Sequence, residues 1–163
     1  MKKSNSSSKD NILSNFDSLS RDEKIDLLFS MVSSLKEKPS TEKIPISIFD
    51  NDKLSTFESL AKYMKENLNL RFVKIASLLN RSDKTIWATY NKARKKLPKP
   101  LDKVVSDINI PISNFSNRDF TVFESLVDYL KEKEIPNHEI GKMLHRDDRT
   151  IWSVYDRVKK KKG

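Results

Sequence analysis

Two stretches carry the side chains that could do chemistry: RSDKTIWATY, from Arg81 to Tyr90, and RDDRTIWSVY, from Arg146 to Tyr155, 65 residues later. Each sets cations beside small polar residues and a tryptophan, and each runs into a basic end, at Lys96 and Lys161. At 100° per residue, Lys84, Ala88, Asn91 and Lys95 share one helical face, and Ile86, Tyr90, Ala93 and Leu97 share the opposite one. The second copy turns Arg149, Ser153, Asp156 and Lys160 outward and Ile151, Tyr155 and Val158 inward. A helix held by one edge and offering cations and hydrogen-bonding groups on the other suits a polyanion, with nucleic acid ahead of an anionic membrane.

Bond-making chemistry has no comparable candidates. There is no nucleophile–base pair, no phosphate-cradling glycine loop and no carboxylate dyad at a useful spacing, so an enzyme is not expected. The absence of cysteine excludes disulfides and thiolate metal sites. His138 and His145 are joined by no carboxylate pattern, and no metal, cofactor or small-molecule ligand is expected.

Net charge is +9, unevenly placed: residues 44–97 hold 11 Lys and Arg against 5 Asp and Glu, whereas residues 110–163 hold 11 against 9. The second half is therefore the weaker candidate for phosphate binding. Lys2 and Lys3 are followed by serines where the apolar part of a signal peptide would stand, and no apolar run approaches the ~18 residues of a membrane span. The expected location is the cytoplasm, in association with the nucleoid.

The two stretches belong to a longer duplication. From Ile44-Pro45-Ile46-Ser47 and Ile110-Pro111-Ile112-Ser113 onward, with one gap opposite Asn69, 52 positions pair and 23 are identical. Two glycines and 34% charged residues favour helices over sheet. Expected domains are a disordered tail plus an amphipathic helix over 1–43, a first repeat over 44–97, a short helical connector over 98–109 and a second repeat over 110–163. The N-terminal helix opens at Ser20 with Glu23 completing a capping box, and it aligns Ile25, Leu28, Val32 and Leu35 in a stripe able to form a homodimer or to pack on the first repeat. Lys38 to Thr41 end it. Leu101, Val104, Val105 and Ile108 give the connector its helical spacing.

Inside each repeat, proline makes the opening segment an extended arm that packs along its own unit. A first helix starts at Ser55, with Glu58 three residues on, and again at Thr121 with Glu124. A short second helix spans about Phe72 to Leu79, and its twin is entered through Pro136. Asn80 and His145 then stand where a tight turn demands positive φ, and Ser82 or Asp147 caps the third helix. These parts describe an all-α protein of two tandem three-helix helix-turn-helix units preceded by an N-terminal helix.

The run from Leu54 to Leu97 resembles the region 4 helix-turn-helix of bacterial sigma factors and related response-regulator domains. Leu54, Ser55 and Glu58 match that pattern's opening, Ile75, Ala76, Leu78 and Leu79 its second helix, and Ser82 to Leu97 its recognition helix. The second copy has Gly141 for the alanine and Asp147 for the serine, and no part of the chain resembles the promoter-melting region of a sigma factor. The resemblance implies duplex DNA as partner, with a transcription regulator or a small nucleoid protein as the role and a protein-interaction adaptor docking on RNA polymerase as the rival.

On this reading Lys84, Thr85, Ala88 and Asn91, with Arg149, Thr150 and Ser153, face bases. Arg81, Arg94, Lys95, Lys96, Arg146, Lys159 and Lys160 meet phosphates. Trp87 and Trp152 lie about 100° from the inward isoleucines, where each either seals the edge of a small core, packs on DNA or joins the two repeats. Fusion head to tail favours two half-sites in direct orientation.

Overall fold

The computed structural model describes residues 16–35, 42–102 and 105–163. The Ser-rich tail expected to be disordered, the helix stop at Lys38 to Thr41, Val104, and the side chains of Val32 and Leu35 fall outside the described set. Residues 1–39 and 40–163 are two compact units. In the first, helix α1 (Arg21–Leu35) opens on the expected box: the Ser20 amide donates to Glu23 Oε2 at 2.9 Å and the Glu23 amide to Ser20 Oγ at 3.3 Å. Ile25 and Leu28 of its stripe are about half exposed.

The second unit holds both repeats. It runs β1 (Lys43–Pro45), a 3-10 turn (Ile46–Phe49), α2 (Thr56–Glu66), α3 (Phe72–Leu79), α4 (Asp83–Lys96), β2 (Asn109–Pro111), a second 3-10 turn (Ile112–Phe115), α5 (Val122–Glu132), α6 (Asn137–Leu144) and α7 (Asp148–Lys162). The chain is thus mostly helical, and no described helix is long and apolar enough to cross a membrane.

Local sequence decides most of these boundaries. Ser55 and Thr121 each accept from the backbone of the glutamate three residues on, which bonds back to the cap amide. Asn80 (φ 51°) and His145 (φ 49°) take the left-handed conformation that ends α3 and α6. The amides of Arg81 and Arg146 then return to the Ala76 and Gly141 carbonyls, both at 2.9 Å. A Cβ at Gly141 would stand 2.5 Å from the Arg146 carbonyl oxygen, so α6 approaches its following turn more closely than alanine permits. Pro136 occupies the cap position of α6, where its missing N–H costs nothing.

Two expectations are overturned. Among its described residues the connector is not helical: residues 97–102 and 105–108 contain no helix, and Val105 is 87% exposed, although Leu101 and Ile108 do pack against the core. Pro98 and Pro100 remove donors, and Ser106 Oγ both accepts from the Ile108 amide (3.3 Å) and donates to its carbonyl (3.1 Å), a local loop that competes with helix.

The arms, moreover, do not serve only their own units. β1 and β2 pair antiparallel, with Ile44 opposite Ile110, its own counterpart. The Ile46 amide donates to Ile108 O (3.0 Å) and, reciprocally, the Ile112 amide to Glu42 O (3.3 Å). The rings of Phe49 and Phe115, again counterparts, lie 6.1 Å apart. Each 3-10 turn packs on the first helix of its own repeat and on the second helix of the other. Counterpart facing counterpart is the mark of a two-fold relation, because a translation would set each residue against a different one. The repeats therefore form a pseudo-two-fold pair around one continuous core.

Candidate nucleic-acid interface

In both repeats the third helix is fixed along one edge. Ile86 and Ala93 in α4, and Ile151, Val154 and Val158 in α7, are buried, with Tyr90 and Tyr155 half-buried beside them. The Phe72 ring lies 5.5 Å from that of Tyr90, and Tyr90 Oη donates to Glu66 Oε1 at 3.1 Å. The N-caps are Ser82 and Asp147, which accept from the amides of Thr85 (3.2 Å) and Thr150 (2.7 Å). The Thr150 amide is the main reason the Asp147 carboxyl lies below its ordinary value.

Of the residues expected to face bases, Lys84, Thr85, Arg149 and Ser153 are exposed, while Ala88, Asn91 and Thr150 are half-buried. Two hydroxyls are already engaged: Thr85 Oγ1 lies 2.8 Å from Ser82 Oγ, and Ser153 Oγ donates to Thr150 O at 3.0 Å. Asn91 is a correction. Its amide nitrogen is buried without a hydrogen-bond partner, although the helical wheel sets the residue with Lys84 and Ala88. Its counterpart Asp156 instead pairs with Lys160 at 2.8 Å, and that ammonium holds the carboxyl below its ordinary value.

The residues expected to meet phosphates divide into three groups. Arg94, Lys95 and Lys159 are exposed cations, Lys159 lying over the Tyr155 ring at 5.3 Å. Lys160 is exposed but tied to Asp156. Lys96 is corrected: its ammonium bonds both oxygens of the buried Glu58 carboxylate (2.8 and 2.9 Å), as its counterpart Lys161 bonds Glu124 (2.7 Å). Burial alone would raise both carboxyls, but these lysines and the cap amides outweigh it and hold them low.

Arg81 and Arg146 are half-buried. Arg81 crosses to the other repeat, its guanidinium donating to the carbonyls of Asn117 (3.5 Å) and Phe120 (3.4 Å) as well as to Leu79 and Asn80, so it fastens the pair together. Arg146 donates to His145 O at 2.8 Å. His145 itself meets Asp50 of the first repeat, Nε2 to Oδ1 at 2.6 Å. Among the described residues no three His, Cys, Asp or Glu side chains converge.

Trp87 and Trp152 do not seal the core. They are 58% and 61% exposed, whereas Phe72 and Tyr155 are partly buried and packed against the core. Each indole stands on the flank next to Lys84 or Arg149, one helical turn away. Exposed Lys92 extends the basic surface, while its counterpart Arg157 is exposed but 3.9 Å from Glu124 Oε1; neither was singled out in the sequence, although their place one turn beyond Ala88 and Ser153 gives the signal. Comparison with known proteins finds no matching family model, curated protein or solved structure.

Proposed function

We propose that the chain is a duplex-DNA-binding protein with two helix-turn-helix units, a transcription regulator or small nucleoid-associated protein that contacts DNA through α4 and α7. The observation that carries this reading is the third helix itself. In both repeats it is anchored by one apolar edge and leaves Lys84 and Thr85, or Arg149 and Ser153, on an open face, with exposed cations such as Lys95 and Lys159 toward its far end. An α-helix of this kind fits a major groove, with its first two turns near base edges and its cations near phosphates. The inverted relation of the repeats favours half-sites in inverted order, unequal because α7 carries Arg149 and Ser153 where α4 carries Lys84 and Ala88.

Selection of bound sequences from a random duplex pool tests this, with an imperfect inverted repeat as the expected motif. Absence of measurable duplex binding at low salt would sink it. The exposed tryptophans favour a second reading, a protein-docking adaptor of the RNA-polymerase-binding kind, because Trp is a common anchor of protein interfaces. Salt dependence separates the two: DNA affinity falls steeply as counterions compete, whereas a Trp-centred protein contact is far less sensitive. Association of two chains through Ile25, Leu28, Val32 and Leu35 belongs to the proposal as well, and sedimentation across a concentration series tests it.

A further inference from the structure

We infer that a cleft on the pseudo-two-fold axis is a binding site for phosphate groups, distinct from the outer faces of α4 and α7. The cleft is open to solvent and measures about 670 Å³, within the usual range for small-ligand sites. Its lining is largely made of counterpart pairs: Ser55 with Thr121, Phe57 with Phe123, and Arg81 with Arg146. The start of α2 and the start of α5 both border it, and Arg118 and Lys161 complete it.

Its electrostatics are those of a site short of an anion. Among the described residues no carboxylate pairs with the guanidiniums of Arg81, Arg118 or Arg146, although Arg81 and Arg146 donate to backbone carbonyls. The one carboxylate in the lining is Asp119, whose backbone carbonyl, not its side chain, accepts from Lys161 (3.0 Å). Arg81 is partly desolvated and feels the like charge of Arg118, both of which disfavour its cationic form. Like charge gathers in the hollow with no carboxylate to offset it, and a phosphate accepting from Arg118, which makes no hydrogen bond among the described residues, in forked geometry offsets that charge. Arg118 also breaks the internal symmetry. Its counterpart is Asp52, so the second repeat supplies a cation where the first supplies an anion.

The phosphate has two possible sources, a free phosphorylated small molecule or the backbone of DNA lying across the axis. The test uses the full chain and inorganic pyrophosphate as the probe, with calorimetric titration at constant ionic strength. Saturable binding is expected, weakened roughly tenfold by Arg118→Gln and unchanged by Lys84→Ala. Arg118 is exposed and makes no hydrogen bond or ion pair among the described residues, so the variant folds, and circular dichroism checks that it does. If pyrophosphate binds no better than chloride, or if Arg118→Gln binds it like the unaltered chain, the inference is overturned. Repeating the titration with a short duplex present assigns the source: competition marks the DNA backbone, and simultaneous binding marks a free ligand. The pyrophosphate result does not depend on DNA binding, so the two readings fail separately.

Discussion

Lys96 Nζ lies 2.8 Å from Glu58 Oε2, tying the last turn of α4 to the first turn of α2, with the carboxylate buried and the ammonium half exposed. The same carboxylate accepts from the Ser55 amide at 2.8 Å. One side chain therefore caps a helix and closes a three-helix unit, and Glu124 with Lys161 and Thr121 repeats the arrangement.

Acid should loosen both units through these carboxyls. Their folded pKa values lie below the ordinary 4.5, so the unfolded chain binds the protons more tightly. The stabilisation is fully present above the unfolded value and is lost as pH falls through the folded ones. Urea unfolding between pH 6 and pH 3 should show a falling midpoint, and the Glu58→Gln, Glu124→Gln double variant should show a flatter one. At pH 7 each single change should cost about 1–2 kcal/mol, as for a lost cap contact. An unchanged acid profile in the double variant would contradict this.

Phe115→Ala should unsettle both repeats together. The ring is fully buried against Phe49 on the pseudo-two-fold axis, and truncation of such a residue costs about 3–5 kcal/mol. Residues 40–163 should still unfold in one transition, because the continuous core couples the repeats. Calorimetry resolving one repeat melting and one intact would show that the coupling is weak.

Two neighbouring lysines should behave differently. Lys95→Ala should lower the slope of log affinity against log salt by about 1, the signature of one lost phosphate contact. Lys96→Ala should leave the slope nearly unchanged and reduce stability instead. Equal slope changes would mean that Lys96 leaves Glu58 for DNA.

Trp87→Ala should leave the unfolding free energy within about 0.5 kcal/mol, as expected of an exposed position. Duplex binding should weaken, and in the unaltered chain the indole fluorescence should change on adding DNA. A large loss of stability would return the indole to a packing role, and a fluorescence signal indifferent to duplex would place DNA elsewhere.

What could be read from sequence was what neighbours decide. Ser55 with Glu58, Thr121 with Glu124, and the left-handed Asn80 and His145 are settled within a few residues, so spacing alone located them. The Leu101 to Ile108 spacing misled, because periodicity does not register two prolines and a serine that bonds its own loop. The Glu58 partner of Lys96 lies 38 residues away, and the Ile44–Ile110 pairing joins separate repeats, so neither leaves a local trace. The outward residues of α4 and α7 were legible from the helical wheel, but the wheel sets Asn91 with Lys84 and Ala88 and does not register the burial of its amide nitrogen.

The pairing of Ile44 with Ile110 is a contact that two identical halves can make with each other. Joining them through residues 98–108 replaces a concentration-dependent encounter by one at millimolar effective concentration, typical of a short tether. It also lifts the requirement that both sides be alike. A homodimer repeats every residue twice, so it cannot set Arg118 against Asp52, or Asp156 against Asn91, about its own axis. A single fused chain can, and so can present an unequal pair of faces to an unequal pair of targets.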